Sequence, residues 1–315
     1  MNKAQGIMLA RWLLPGWLLL CAVAFAQEPV RVAVADFSGD DLQAAALLRQ
    51  MAARDFAPVD ADLARAALRG AGYTGSLNLS REEARSFGMA IGCDYYLLGT
   101  AQVLRRTLSA EEFYYEGIAG IFTVETRSGR LLLFDFRRTR AADEQTARGQ
   151  LAAQLGPSWQ KSAAAISQAA SQHQAESVVV TLPPAQVIEV FDNEPGATKI
   201  AQPIFYQRLR PAYTEAAASL AVIATVELEV VFREDGRVGE AEVTRWAGFG
   251  LDESALATVR QLRFKPAARE GRPVSLRALV RYNFRRPPPA AQLQEEQERL
   301  RRSLRDALRR PHPNQ

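Results

Sequence analysis

The chain has 315 residues, 48% apolar and 23% charged, with a formal net charge of +4. That is globular composition, with length for two domains of ordinary size. In residues 285–315, Arg285, Arg286, Arg299, Arg301, Arg302, Arg305, Arg309 and Arg310 outnumber Glu295, Glu296, Glu298 and Asp306 by four, so the rest is close to neutral, which excludes the broad basic footprint of a nucleic-acid binder.

Residues 1–26 read as an export signal. Lys3 and Arg11 supply charge, 12–23 an apolar run, and Ala24-Phe25-Ala26 a small-x-small cleavage site. The alternative is an inner-membrane anchor through residues 7–26, a stretch close to the ~20 residues that span a bilayer. The expected location is therefore the periplasm, either free or anchored. Cleavage leaves Cys93 without a partner, and its apolar setting, MAIGCDYYLLGT, predicts a buried thiol. His173 and His312 lie far apart in polar surroundings, so neither a metal nor a cofactor is expected.

Residues 27–176 read as one α/β domain. VRVAVADF is a near-continuous apolar run, as in a strand covered on both faces. Helices follow over LQAAALLRQMAAR and ADLARAALRGAG, separated by the short strand FAPVD. Asp36, Asp40 and Asp41 cluster after the first strand, where helix capping is the plain expectation and no phosphate-binding glycine loop accompanies them. Ser80 and Glu83 have capping-box spacing and predict a third helix. CDYYLLGTAQVLRRT, EFYYEGIAGIFTVET and GRLLLFDFRRTR predict three strands, the last two a hairpin turning at Ser128-Gly129. EQTARGQLAAQL predicts a closing helix that Gly156-Pro157 breaks, with an alanine-rich helix beyond. Tyr95, Tyr96, Tyr114 and Tyr115 read as strand core and cross-strand pairs. Ser158 and His173 suggest no catalytic triad.

Residues 177–202 form a proline-containing linker in which a short VIEVF run is suited to pair with a neighbouring sheet. Residues 203–286 read as a second domain. Its first strand alternates Val226, Leu228, Val230 and Phe232 inward against Thr225, Glu227 and Glu229. Asp235-Gly236 turns the chain, and the return strand puts Ala241 and Val243 inward. Trp246 is expected to pack near this hairpin. Leu251, Ala255, Val259 and Leu262 mark a helix face, with Pro266 as its stop. A last strand alternates Leu276, Ala278, Val280, Tyr282 and Phe284 against Arg277, Leu279, Arg281 and Asn283. Residues 287–315 predict a charged helical tail striped by Leu293, Leu300, Leu304 and Leu308.

Two resemblances rest on these segments. VAVADF, the helix pair and the G-x-D-Y-Y-L-L-G element from Gly92 to Gly99 resemble the amino-terminal domain of TolB. D-G-R-V at 235–238, L-D-E-S-A-L-x-x-V-R-Q-L-R-F-K-P-A at 251–267 and G-R-P-V at 271–274 resemble, in order and spacing, the C-terminal domain of the TonB family. Thr214 stands where that family usually has proline after tyrosine, Ala224 where it has glycine, and residues 1–30 hold no histidine.

The combined fold class is α/β plus α+β: a TolB-like α/β domain, a linker, a TonB-like three-stranded antiparallel sheet with helices on one face, and a charged helix. The TonB resemblance implies a non-enzymatic protein that binds a segment of an outer-membrane transporter, or of another envelope protein, by adding it as a strand. It also implies motor partners of the ExbB and ExbD type and energy transfer for transport. The docking edge it assigns is the last strand: Leu276, Arg277, Ala278, Leu279, Val280, Arg281, Tyr282, Asn283 and Phe284. Backbone groups on such an edge supply affinity and alternate side chains supply specificity. A second reading is an exported periplasmic scaffold without energy coupling.

Overall fold

The computed structural model describes residues 29–39, 43–107, 112–176, 188–189, 200–286, 298–299 and 301–302. The amino-terminal part runs β1 (Arg31–Val34), α1 (Ala44–Asp55), β2 (Ala57–Pro58), α2 (Ala61–Gly70), β3 (Leu79–Ser80), α3 (Arg81–Ile91), β4 (Tyr95–Thr107), β5 (Phe113–Glu125), β6 (Leu131–Ala141) and α4 (Glu144–Glu176). Its sheet has the order β2-β1-β4-β5-β6. β1 is parallel to both neighbours, and β4, β5 and β6 form an antiparallel meander.

Period-two alternation divides the apolar residues between two faces. Val32, Val34, Tyr95, Leu97, Ala119 and Ile121 pack against Leu48 and Ala52 of α1 and Leu151, Leu155 and Ile166 of α4. Ala33, Tyr96, Leu98, Phe122 and Val124 turn the other way, toward Ala64 and Leu68 of α2 and Ala84 and Phe87 of α3. Tyr95 and Tyr96 are buried in the core, as expected for strand residues.

Three local expectations meet different outcomes. Ser80 and Glu83 form the predicted reciprocal cap of α3: the Glu83 N–H donates to Ser80 Oγ at 3.2 Å and the Ser80 N–H to Glu83 Oε2 at 2.7 Å. The aspartate cap of α1 is corrected: Gln43 stands at its N-cap in left-handed backbone without a side-chain bond. Asp36 instead pairs with Arg49 of α1 and Arg65 of α2, both at 2.5 Å, while Asp40 and Asp41 lie outside the described residues. The break at Gly156-Pro157 is also corrected, because α4 is a single helix of 33 residues with Pro157 inside it. Proline removes the bond to the carbonyl four residues back. Here Pro157 and Ala153 are both exposed while Leu155, Ser158 and Trp159 face the sheet, so the freed carbonyl lies on the solvent side.

The remaining elements are β7 (Ile188–Glu189), β8 (Ile200–Ala201), β9 (Ile204–Phe205), α5 (Glu215–Ser219), β10 (Ala224–Phe232), β11 (Val238–Trp246), α6 (Leu251–Arg260), β12 (Phe264–Lys265), β13 (Ala267–Arg269), β14 (Arg272–Val274) and β15 (Leu276–Phe284). The predicted hairpin, helix and last strand all appear, with the short α5 ahead of them. α6 lays Leu251, Ala255 and Val259 on the sheet but ends at Arg260, ahead of Pro266. Gln261 and Leu262 bond three residues back and close its last turn. Phe264 can then pack on Phe232 and Phe205, at ring-centroid distances of 5.0 and 5.7 Å.

The expected three-stranded sheet is enlarged. β11, β10 and β15 form the centre of a five-stranded sheet of order β3-β11-β10-β15-β7. One added strand comes from the amino-terminal part and the other from the VIEVF run. In the tail, 298–299 and 301–302 are helical and exposed; Leu293, Leu300, Leu304 and Leu308 lie outside the described residues, as do residues 1–28. No helix among the described residues is long and apolar enough to cross a membrane.

The two sheets share one apolar core. Phe122 and Val124 on one side belong to the same buried cluster as Val226, Leu228, Trp246, Phe249, Leu251 and Val259 on the other. The C-terminal sheet and α6 cover the face of β5 and β6 beside α3, which would otherwise expose Phe122, Phe134 and Phe136.

Candidate functional site: the outer edge of the C-terminal sheet

β15 is held along its whole length by antiparallel pairing with β10, from Ala224 opposite Phe284 to Phe232 opposite Leu276. Alternation sets the direction of its side chains. Leu276 and Phe284 are buried, and Ala278, Val280 and Tyr282 are half-buried against the same core. Burial raises the Tyr282 hydroxyl pKa above its ordinary range.

The opposite face carries Arg277, Leu279, Arg281 and Asn283. Arg277 pairs with Glu229, and Arg281 Nε with Glu227 Oε1 at 2.7 Å. Thr225 Oγ1 donates to Asn283 Oδ1 at 2.8 Å. The two arginines expected to meet a partner strand are thus already bound to carboxylates on β10. Leu279 lies between them on the same face and is 55% exposed.

The edge itself is only partly open. β7 runs parallel to β15, with Ile188 opposite Leu276 and Glu189 opposite Arg277. The expectation of a free edge over all nine residues is therefore corrected at its first two. Residues 278–284 have no strand on their outer side among the described residues. The unpaired N–H and C=O groups of such a stretch are the chemistry available there.

The other edge of the sheet is joined to the amino-terminal part. Ser80 pairs with Arg245 and Leu79 with Trp246. Asn78 completes the junction. Its Nδ2 donates to Thr225 O at 2.8 Å and Trp246 O at 2.7 Å, and its Oδ1 accepts from the Thr225 N–H at 3.0 Å. Arg245 Nη1 reaches Glu83 at 3.1 Å, and Glu242 pairs with Arg81.

A strained loop lies next to this junction. Gly248, Phe249 and Gly250 all have left-handed backbone, at φ of 70°, 54° and 73°. A Cβ on Gly248 would stand 2.5 Å from the Phe122 ring, so glycine is required there on two grounds. Phe249 tolerates its unfavourable φ because its ring enters the aromatic group of Phe122, Phe134 and Phe136, at 5.8, 4.8 and 6.0 Å. Asp252, 8% exposed, clamps the loop by accepting the N–H groups of Ala247 and Gly248, each at 2.8 Å. Burial raises its pKa to about 7, against the opposing effect of those two donors.

Sequence reasoning singled out none of Asn78, Phe249 or Asp252. Asn78 bonds to residues 147 and 168 positions away, a relation no local pattern carries. Asp252 stood in the L-D-E-S-A-L motif without a role of its own, and the preceding G-F-G was the available signal for one.

Chemistry of other kinds finds little support. The Ser158 hydroxyl donates to Asp135 at 2.6 Å, whereas His173 pairs with Glu125, so they do not form a nucleophile–base pair. The Cys93 thiol is buried and its pKa is pushed up to about 11 by that burial. Among the described residues no group of three or more His, Cys, Asp or Glu is placed to hold a metal.

Residues 210–285 match the family model of the Gram-negative bacterial TonB protein C-terminal. No curated protein matches the chain. Among solved structures, the solution NMR structure of the Pseudomonas aeruginosa TonB C-terminal domain aligns at 16% identity and a TM-score of 0.26, over 33% of this chain and 98% of that one. The crystal structure of lipoprotein GNA1162 from Neisseria meningitidis aligns at 14% identity and 0.29, over 41% and 97%. The LpoB C-terminal domain from Salmonella enterica aligns at 14% identity and 0.25, over 35% and 82%. At these scores the structural likenesses bear no functional argument.

Proposed function

We propose, from the match of residues 210–285 to the TonB C-terminal model, that the chain is a non-enzymatic envelope protein whose β15 edge takes up an extended segment of an outer-membrane transporter by strand addition. In this reading residues 27–176 and 203–286 are the two domains, exported to the periplasm or tethered through residues 7–26. The observation that carries it is the stretch 278–284, which is firmly paired to β10 on one side and has no described strand on the other. Main-chain pairing would supply the affinity there, and Leu279 is the exposed apolar contact.

The test is binding of a synthetic peptide from the plug-proximal segment of an outer-membrane transporter to the full chain, measured by calorimetry. Leu279→Pro should abolish binding, and Leu279→Glu, an exposed change that leaves the backbone intact, should weaken it. Equal affinity for both variants and the parent would remove the mechanism.

A second reading, a periplasmic scaffold without energy coupling, is favoured by one specific observation. The C-terminal sheet is joined to the amino-terminal part through β3, Asn78 and the aromatic seam, which is unlike an independently swinging arm. Sequencing the amino terminus of the exported protein separates the two. A start at Gln27 supports the scaffold; an intact Met1 in membranes, with ExbB- and ExbD-type proteins co-purifying, supports the transducer.

A further inference from the structure

β15 has a second neighbour that comes from far away in the chain. β7 lies between α4 and β8 in sequence, and it sits on the side of β15 that β10 leaves free. It covers Leu276 and Arg277 in parallel. We propose that β7 is a built-in occupant of the docking edge, a segment of this chain that must leave before a partner strand can pair with the whole of β15. The inference rests on the strand-addition reading above.

Geometry favours an occupant that can be displaced. β7 is two residues long and parallel, and parallel pairing is the weaker kind per residue. A longer incoming strand has 278–284 to begin on and needs β7 to depart only when it reaches Arg277. Leu276 is buried, so the backbone that β7 meets is fixed in place by the core. Residues 177–187 connect β7 to α4 and residues 190–199 connect it to β8, so it stays close after release. A tethered competitor acts at high effective concentration even when its intrinsic affinity is low. The result is an edge that presents a shorter ladder to weak or non-cognate strands than to one able to expel β7. The same arrangement shields part of an edge that would otherwise pair with other chains.

The test uses Ile188→Pro in the full chain. Proline removes one N–H donor and disfavours the pairing. β7 pairs with the sheet over two residues only, so exchange at 280–284 reports separately whether the sheet itself stays intact. Amide hydrogen exchange at residues 276–278 should quicken by at least about tenfold, with 280–284 unchanged. The transporter peptide should bind the variant more tightly, on the order of tenfold, since roughly two hydrogen bonds no longer compete. Unchanged exchange at 276–278 overturns the occupancy. Equal or weaker peptide binding to the variant overturns the competition while leaving strand addition standing. Failure of the peptide to bind either form overturns both.

Discussion

Trp246, the last residue of β11, packs on Phe122 near the C-terminal end of β5, with ring centroids 5.5 Å apart and planes tilted by 30°. Its indole Nε1–H donates to the carbonyl of Gly129 at 3.4 Å, so apolar body and polar tip both engage the amino-terminal sheet. The contact joins residues 124 positions apart and lies in the apolar core that the two sheets share. Trp246→Ala should therefore destabilise the whole chain by about 3–5 kcal/mol. At this chain length that lowers the melting temperature by roughly 6–20 °C. Scanning calorimetry should show a single transition moving down, and an unmoved transition would mean the seam is not part of the cooperative unit.

Asn78→Ala should act at the same junction by another route. It leaves two carbonyls and one N–H without their partner, and buried backbone groups in that state cost about 1–3 kcal/mol each. Trp246 is buried and Thr225 half-buried, so a total loss of about 2–4 kcal/mol is expected. Urea titration gives the loss. Hydrogen exchange at the Thr225 amide, measured alongside, should accelerate more than exchange at residues in β4.

Asp252 sets a pH dependence with a definite sign. Its folded pKa of about 7 lies above the ordinary 3.8, so the folded protein binds the extra proton between those values. Stability from this group is greatest near pH 4 and falls as pH rises toward 7, by about 2–4 kcal/mol in all. Carboxylates such as Asp36, held low chiefly by the hydrogen bond from Arg65, and Glu242, held low chiefly by Arg81, act the opposite way and only at more acid pH. Chemical denaturation at pH 5, 6, 7 and 8 should show the decline. Asp252→Asn should flatten it, and a parallel decline in that variant would assign the titration elsewhere.

Glu116, 2% exposed, receives Arg106 at 2.8 Å and Arg138 at 2.5 Å. Arg138 continues to Glu215 at 2.7 Å and Arg106 to the carbonyl of Ser219, so this group ties the β4–β6 meander to α5. Glu116→Gln should cost about 1–3 kcal/mol, less than a fully buried pair because both arginines remain partly exposed. The loss should appear as faster amide exchange across α5. Unchanged exchange there would confine the role of Glu116 to its own sheet.

Much of this architecture could be read locally. Alternation in β10 and β15, the Asp235-Gly236 turn, the Ser80–Glu83 cap and the apolar run of β1 each depend on residues within a few positions of one another. The VIEVF run was likewise legible as a strand seeking a sheet. What escaped was set by distance or by side. Pro157 breaks a helix only if the freed carbonyl cannot reach solvent, and sequence does not say which way that carbonyl faces. Phe134 and Phe136 fit an ordinary hairpin, yet their rings belong to the contact with Phe249. The candidate edge was identified with the right alternation, but the state of Arg277 and Arg281 depends on Glu229 and Glu227, and the closure of Leu276 depends on a strand from 88 positions earlier.

The splice of Leu79–Ser80 onto β11 has a mechanical corollary. Tension applied to β15 is shared laterally through β10 and β11 and reaches β3, which leads directly into α3 and its cap. Any pull on that sheet would load α3 through the two-residue splice, alongside the aromatic seam that joins it to β5.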